Sequence, residues 1–202
     1  MTDRGVAFTA PGDGDMRADL ANRRRISQRL GISPEWAVVH QVHGTRVVHV
    51  REPGLAGEGD AIVTDRPGLP AAVFTADCLG VVLHAAGAVA VAHAGWRGLA
   101  EGVLEATVAA LTQVSARPDT AHLGPAIGPC CFEVGEEVAS RFPDDVATTT
   151  WGSPAVDLAG AARRRLGDLA TTTDGRCTAC GGGPSHRRDA TTDRMAAIGW
   201  VP

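Results

Sequence analysis

Short apolar runs alternate with polar or glycine-rich breaks between residues 37 and 93, which is the pattern of β-strands joined by turns. The runs are too short for helices and are rich in valine. The sequence AAGA at 85–88 predicts a tight turn between the last two strands. The predicted strands are Ala37–His40, Arg46–Val50, Ala61–Thr64, Ala71–Thr75, Gly80–His84 and Val89–His93.

Helical periodicity appears on both sides of these strands. Residues 98–114 place apolar or small side chains at steps of three and four, directly after the sequence GWRG, and predict the clearest helix. Residues 18–30 predict an earlier helix that ends at Gly31. We also expect helices over Glu133–Arg141 and 155–169, a strand near His122–Leu123 and a closing strand over Met195–Val201.

The order of these elements indicates the fold class. Strands dominate the middle of the chain, and helices are interspersed without the regular strand–helix alternation of a parallel sheet. The chain has 202 residues, of which 44% are hydrophobic, enough for one domain with a sizeable core. We therefore predict a single α+β domain over residues 1–202, built on a mixed sheet.

Composition limits the expected classes of binding partner and the expected cellular compartment. The net charge is −4 and no long basic run is present, so neither nucleic acid nor a membrane is expected as a partner. The start MTDRGVAFTA lacks the apolar segment of a signal peptide, and no apolar run reaches the roughly 18 residues of a membrane span. A cytoplasmic protein with reduced cysteines is expected. Since no heptad pattern or exposed apolar helix indicates an interface, a monomer is favoured.

Three short motifs carry the candidate chemistry: QVHG at 41–44, TADC at 75–78 and AHAGWRG at 92–98. They supply His43, Cys78 and His93, each near the end of a predicted strand. Two imidazoles and one thiolate suit zinc, with copper as the second choice, and leave a fourth position open for water or substrate. Each residue could also be an ordinary histidine or a small buried cysteine, and spacing alone leaves both interpretations open.

Two arginine-containing motifs are candidates for anion binding. In GWRG, Arg97 stands at the start of a predicted helix, where backbone N–H groups and a guanidinium favour phosphate or carboxylate. In SHRRD, one of Arg187 and Arg188 could meet an anionic substrate and the other an internal carboxylate. The alternatives are an exposed arginine at Arg97 and a salt bridge to Asp189 that holds the C-terminal segment.

The remaining cysteines and carboxylates give weaker signals. Cys177 and Cys180 have a C-x-x-C spacing, but a single pair of this kind is more often structural than redox-active or metal-binding. Cys130 and Cys131 in the sequence GPCC are expected to pack in the core or line a pocket. Asp60 and Asp77 are the carboxylates closest in sequence to the proposed metal ligands, and strand alternation would turn Asp77 away from Cys78 unless a bulge intervenes.

Five ordered motifs together resemble the YfiH, or laccase-domain, family. This family has been described first as multicopper polyphenol oxidases and later as purine nucleoside phosphorylases with adenosine deaminase activity. The resemblance runs from about residue 20 to the C-terminus. The motifs are QVHGTRVVHV, GDAIVTDRPGLPAAVFTADC, VAHAGWRGLAEGV, HLGPAIGPCCFEVGEEV and SHRRD followed by TTDRMAAIGWV.

The resemblance implies a fold, a metal and a reaction. It implies a central β-sandwich flanked by helices, like the catalytic domain of the cytotoxic necrotizing factor toxins, and zinc on His43, Cys78 and His93. It implies phosphorolysis of adenosine, inosine, guanosine and methylthioadenosine, and deamination of adenosine. Purine nucleoside and phosphate are then the expected partners. Arg97, Arg188 and Asn22 are the candidate substrate and phosphate contacts.

The chain departs from the family pattern at several points, which keeps other functions open. The family's Thr-Arg-x-Gly-Gly-Val-Ser run corresponds here to FTAPGDGD at 8–15, and GGGP at 181–184 replaces an aromatic pair. A nucleoside-binding protein without turnover is therefore an alternative. A cysteine hydrolase with a Cys78–His93 pair is another. A copper-dependent polyphenol oxidase is a third, although multicopper oxidases need more histidine ligands than these motifs provide.

Overall fold

The computed structural model describes residues 5–202, which form thirteen strands and six α-helices. The strands are β1 Val6–Phe8, β2 Ala37–His40, β3 Val47–His49, β4 Gly54–Glu58, β5 Ala61–Thr64, β6 Ala71–Thr75, β7 Leu79–Ala85, β8 Ala88–Ala94, β9 Thr120–Leu123, β10 Val146–Thr148, β11 Pro154–Val156, β12 Ala170–Thr173 and β13 Met195–Gly199. The helices are α1 Leu20–Leu30, α2 Trp96–Glu101, α3 Val103–Val114, α4 Glu136–Ala139, α5 Leu158–Leu166 and α6 His186–Asp189.

Two mixed sheets form the centre of the molecule. One has five strands in the order β1-β13-β6-β2-β4, in which β2 runs parallel to both of its neighbours. The other has six strands in the order β12-β9-β7-β8-β5-β3, antiparallel in the middle and parallel at both edges. A separate hairpin joins β10 to β11.

The two large sheets pack face to face over an aliphatic layer. Ile62, Val82 and Val91 of the six-stranded sheet are completely buried in one cluster with Val73 and Ala197 of the five-stranded sheet. Full burial of an aliphatic side chain of this size contributes about 1.5–3 kcal/mol. The sandwich is therefore held chiefly by the same valine-rich runs that predict its strands.

Helices cover the outer faces of the sandwich. Helices α2, α3 and α5 pack on the six-stranded sheet through Leu99, Leu104 and Leu111 among others. Helix α1 covers the five-stranded sheet, where Ile26 is buried against Phe74. The predicted α+β fold, with a central mixed β-sandwich flanked by helices, is confirmed.

The helix predicted over 98–114 is wrong as one continuous element. It is two helices, because Gly102 adopts a left-handed φ of +98° and its N–H bonds back to Gly98 and Leu99. The apolar stripe continues across the break, so periodicity alone does not reveal it. The region predicted as helix 155–169 contains β11 first, and α5 begins only after Asp157, whose carboxylate accepts from the Gly160 N–H. The helix expected over Glu133–Arg141 shortens to α4.

Five strands are not predicted from the sequence: β11, which lies at the start of the region predicted as a helix, and β1, β4, β10 and β12. Those of the two large sheets, β1, β4 and β12, all lie at sheet edges. Strand β4 is rich in glycine and largely exposed, and β12 is a run of threonines after one alanine. Edge strands need to bury only one side or none, so the alternation that marks buried strands is missing.

No helix in residues 5–202 is long and apolar enough to span a bilayer.

Candidate metal centre

The three predicted ligands converge from separate parts of the fold. His43 lies in the turn after β2, Cys78 lies between β6 and β7, and His93 lies near the end of β8. Their ligand atoms all lie within 4.8 Å of one another, and Cys78 Sγ is 3.9 Å from His43 Nε2. A tetrahedral zinc with ordinary bond lengths separates a sulfur from a nitrogen ligand by roughly 3.6 Å. The arrangement is therefore close to the size of a zinc site.

Asp60 organises two of these ligands at once. Its carboxylate is completely buried and accepts backbone N–H bonds from Val42, His43 and Gly44 at 3.1, 2.9 and 2.7 Å. The same carboxylate lies 2.8 Å from Nδ1 of His93. Such a bond fixes the proton on Nδ1 and leaves Nε2 free to bind a metal. Asp60 is thus a positioning residue. Its position in the sequence alone did not reveal this role.

The backbone at the site is held in an unusual conformation. His43 has a φ of +63° and Asp77, next to Cys78, has a φ of +80°. Non-glycine residues rarely adopt these values, which persist only where surrounding bonds impose them. For His43 those bonds are the three N–H groups held by Asp60. At Asp77 the turn breaks the strand alternation, so that both Asp77 and Cys78 line the same cleft.

The glycines of GWRG make room for the ligands. A Cβ on Gly95 would lie 2.9 Å from His43 Cδ2 and 3.0 Å from Cys78 Sγ. A Cβ on Gly98 would lie 2.7 Å from the carbonyl oxygen of Gly44. The motif therefore serves close packing against the metal ligands as well as the start of the six-residue helix α2.

The electrostatics of the trio favour a thiolate. Burial opposes ionisation of Cys78, but the imidazoles of His93 and His43 outweigh it and lower the pKa of the thiol to about 6. Burial disfavours the charged form of His93, yet Cys78 and Asp60 raise its pKa to about 9. The metal-free site thus pairs a thiolate with an imidazolium, and a cation would replace the imidazolium proton.

The two imidazoles and one thiolate fit zinc. The exposure of these side chains indicates that the fourth coordination position would face a cleft. His93 is buried, Cys78 is partly buried and His43 is exposed. All three line one cleft of about 650 Å³. Blue-copper centres also use two histidines and a cysteine, with a weak axial methionine or glutamine, so the donor set suits copper as the second choice.

Arginines dominate the polar lining of the cleft. Asp77 is the one carboxylate among the described residues that line it, and its oxygens are occupied by the Thr178 hydroxyl and the Arg187 N–H, each at 2.7 Å. Phe74 and Phe132 supply aromatic surface. The arginines in the lining are Arg17, Arg23, Arg97, Arg187 and Arg194.

Of Arg97, Arg188 and Asn22, the contacts chosen with the family resemblance, only Arg97 lines the cleft. Its guanidinium lies 4.3 Å from the centre of the Trp96 ring, and no carboxylate in residues 5–202 forms an ion pair with it. Arg188 is outside the lining: it pairs with Asp189 and donates to the carbonyls of Ala179 and Gly183. This is the structural alternative considered for SHRRD.

Asn22 also lies outside the cleft lining. Its amide donates to the carbonyl of Asp15 and accepts from Arg25. The adjacent Arg23 lines the cleft instead, with its guanidinium 4.9 Å from the Phe74 ring centre. Likewise Arg187 lines the cleft where Arg188 does not, 5.5 Å from the Phe132 ring centre. In both motifs the side chain in the cleft is the neighbour of the one chosen with the family resemblance. For SHRRD the division considered from the sequence holds, because Arg187 lines the cleft and Arg188 pairs with Asp189.

Comparison with known proteins agrees with the resemblance seen in the motifs. Residues 9–202 match the family model described as multi-copper polyphenol oxidoreductase laccase. Purine nucleoside phosphorylase ORF3 of Streptomyces griseus is 42% identical, covering 95% of this chain and 85% of that protein. Purine nucleoside phosphorylase YfiH of Escherichia coli K12 is 39% identical, with 89% and 79% covered.

A solved structure shows the same fold. The crystal structure of YlmD from Geobacillus stearothermophilus matches with a TM-score of 0.82 at 30% identity, covering 98% of this chain and 89% of that one. The family match spans strands β2 to β13 and all three converging residues. This chain therefore belongs to the YfiH, or laccase-domain, family.

Proposed function

We propose that this protein is a zinc-dependent purine nucleoside phosphorylase that also deaminates adenosine. The observation that carries the proposal is the convergence of His43, Cys78 and His93 in a cleft lined by five arginines. Metal ligands with one open position suit activation of water or an oxyanion, and the arginines suit a phosphate. The purine nucleoside phosphorylase names of the Streptomyces and Escherichia relatives support the same reaction.

Phosphate is the substrate that the cleft charges explain best. Arg97 holds its guanidinium over the Trp96 ring and has no ion-pair partner in residues 5–202, so its charge is available to an anion. Arg187 stacks on Phe132 and gives one N–H to the carbonyl of Glu133 at 2.7 Å, which fixes its position. Guanidinium groups held in this way bind phosphate oxygens without losing much side-chain freedom. Both are proposed phosphate contacts.

In phosphorolysis, a phosphate oxygen bonds to C1′ of the ribose and the C1′–N bond to the purine breaks. The purine leaves with the bonding electron pair, while positive charge develops on the ribose. Fixed arginines would hold the phosphate against C1′ and lower the cost of bringing the reactants together. Zinc on His43, Cys78 and His93 would supply Lewis-acid activation of water or an oxyanion near neutral pH.

Purine nucleosides are the proposed second substrate class. Adenosine, inosine, guanosine and methylthioadenosine share a flat base, and Phe74 and Phe132 place aromatic surface in the cleft. Deamination would replace the exocyclic amine of adenosine with oxygen from water and release ammonia. In this proposal both reactions take place in the same cleft.

The test follows free base and ammonia from adenosine and inosine, with and without phosphate, on protein of known metal content. Cys78→Ala and His43→Ala are the test variants, and His49→Ala is the matched control because His49 lies on an exposed strand end. We expect turnover in the wild type and control, and its loss together with one zinc ion in the test variants. Zinc binding without turnover of any purine nucleoside would instead indicate a nucleoside-binding protein.

One other reaction has an observation in its favour. Cys78 has a lowered pKa and lies 3.9 Å from His43, which is the requirement for a thiolate nucleophile. A cysteine hydrolase would keep full activity after chelation and lose it on alkylation of Cys78. The phosphorylase proposal expects chelation to abolish activity. Oxygen uptake with a phenol on copper-loaded protein tests the oxidase alternative in the same preparation.

A further inference from the structure

A second cluster of metal-binding side chains lies apart from the cleft. It comprises Cys130, Cys131, Cys177 and Cys180, whose Sγ atoms all lie within 4.8 Å of one another. The Sγ atoms of Cys130 and Cys180 are 3.7 Å apart. Zinc–sulfur bonds of about 2.3 Å in a tetrahedron separate neighbouring sulfurs by roughly 3.8 Å. We propose that these four cysteines form a closed structural zinc site.

The backbone brings the two cysteine pairs together independently of the sulfur atoms. Ala126 and Cys177 form an isolated parallel bridge, in which the Thr178 N–H donates to the carbonyl of Ala126 at 3.0 Å. The Gly181 N–H donates to the carbonyl of Cys177 at 2.8 Å and closes a tight turn around Cys180. The cluster is therefore assembled by main-chain hydrogen bonds, which reduces the entropy lost on binding a metal.

Two glycines leave the space that the sulfur cluster needs. A Cβ on Gly181 would lie 2.3 Å from the Cys177 carbonyl oxygen, and a Cβ on Gly128 would lie 3.2 Å from Cys130 Sγ. The Gly128 N–H also donates to Cys177 Sγ at 3.2 Å. Hydrogen bonds from the backbone to sulfur favour the thiolate form, which is the form that binds metal.

The composition of the cluster distinguishes it from the cleft site. Four thiolates fill all four tetrahedral positions, so no position is left for water or substrate, as in closed structural zinc sites. The excess negative charge of such a site has a cationic neighbour in Arg188, which donates to the carbonyls of Thr178 and Ala179 between the two C-x-x-C cysteines. Arg188 therefore has a structural partner here.

The cluster lies behind one wall of the cleft. The Thr178 hydroxyl and the Arg187 N–H both donate to the Asp77 carboxylate at 2.7 Å, and the Ile127 N–H donates to the Asp77 carbonyl at 2.8 Å. Thr178 lies between Cys177 and Cys180, and Ile127 lies in the loop that leads to Cys130. A metal that joins these two loops would hold Asp77, and so the turn that carries Cys78.

The proposal is tested by metal content and by spectroscopy on the full-length protein purified under reducing conditions. We expect about two zinc ions per chain in the wild type. Cys180→Ser and Cys177→Ser should each lose one ion and keep the other, whereas Cys78→Ser should lose only the ion of the cleft. Cobalt bound to the Cys78→Ser protein should give the intense sulfur-to-metal absorption of a four-thiolate tetrahedral centre.

Three results would overturn the proposal. The first is one zinc ion per wild-type chain, lost in Cys78→Ser and retained in Cys180→Ser. The second is a Cys130–Cys180 disulfide in the peptide map of protein isolated without reductant and alkylated before digestion. The third is alkylation of all four thiols in the native protein without release of zinc. Cys180 is exposed, so its serine variant should fold, and the cobalt spectrum does not depend on any variant of the cluster.

Discussion

Replacing Asp60 by asparagine tests the central claim about how the cleft site is positioned. One oxygen of Asp60 accepts from the N–H groups of Val42 and Gly44, and the other accepts from His43 and lies against Nδ1 of His93. Asparagine keeps the shape but turns one acceptor into an NH₂ donor. In one amide orientation this NH₂ group faces the N–H groups of Val42 and Gly44. In the other it faces the His43 N–H and Nδ1 of His93.

The expected cost follows from those contacts. Each buried donor left without an acceptor costs about 1–3 kcal/mol, so Asp60→Asn should lower the free energy of unfolding by roughly 2–6 kcal/mol. For a chain of this size each kcal/mol lowers Tm by about 2–4 °C. Loss of the carboxylate behind a histidine ligand weakens metal binding about 10–100-fold. Zinc affinity at the cleft should therefore fall together with Tm.

The assay is competition with a chromophoric zinc chelator, combined with thermal unfolding of the metal-free protein. Asp65→Asn is the matched control, because Asp65 follows the strand that Asp60 precedes and forms only partly exposed ion pairs, with Arg51 and His49. Exposed pairs contribute about 0–1 kcal/mol, so the control should change little. If Asp60→Asn bound zinc as tightly as the wild type and unfolded at the same temperature, the positioning role would be refuted.

Three further predictions concern the metal ligands and the cleft arginines. Gly95→Ala should weaken zinc binding at the cleft, because its Cβ meets His43 and Cys78, while Gly135→Ala, with nothing within 4 Å, should leave chelator competition unchanged. Arg97→Ala should raise KM for phosphate about tenfold or more, whereas Arg188→Ala should lower Tm with KM unchanged; equal KM effects would contradict the assignment. In a Cys180→Ser background at pH 7.5, zinc should displace about one proton from the pair, since the pKa of Cys78 is about 6 and that of His93 about 9. The number of protons displaced should approach zero above pH 9 and rise towards two below pH 6. Calorimetry in buffers of different ionisation enthalpy measures this number. A number that did not change with pH would contradict the pairing of a Cys78 thiolate with a His93 imidazolium.

The sequence predicted the bounds of several central strands and named three residues that the structure brings together. Strands β2, β5 and β6 have the predicted bounds. A strand buried on one or both faces has apolar residues along its whole length, either in alternation or in a continuous run, so its ends are visible in the sequence. His43, Cys78 and His93 follow or end such strands, and the structure brings them within ligand distance of one another. Zinc occupancy and the substrate contacts remain predictions that the experiments above test. The assignment of residues 1–202 to a single domain also remains a prediction.

Tertiary structure decided what local patterns do not encode. Which of two adjacent arginines faces the cleft depends on the turn geometry around Asp77 and on the pairing of Arg188 with Asp189. The four-cysteine cluster joins an adjacent Cys130–Cys131 pair to a distant C-x-x-C pair. The C-x-x-C half has metal-ligand spacing but supplies only two ligands, and the local sequence does not show that Cys130 and Cys131 lie beside it.

By itself, the sequence determined which residue types are available, which segments are strands and which family the chain resembles, because these properties depend on neighbours along the chain. Only the folded structure decided that Asp60 serves both histidines, that Gly102 divides a helix, and that two cysteine pairs meet. The break at Gly102 is local but leaves the apolar periodicity unchanged, whereas the other two are contacts between residues far apart in sequence. They form only when the sandwich closes and the buried polar groups must find partners.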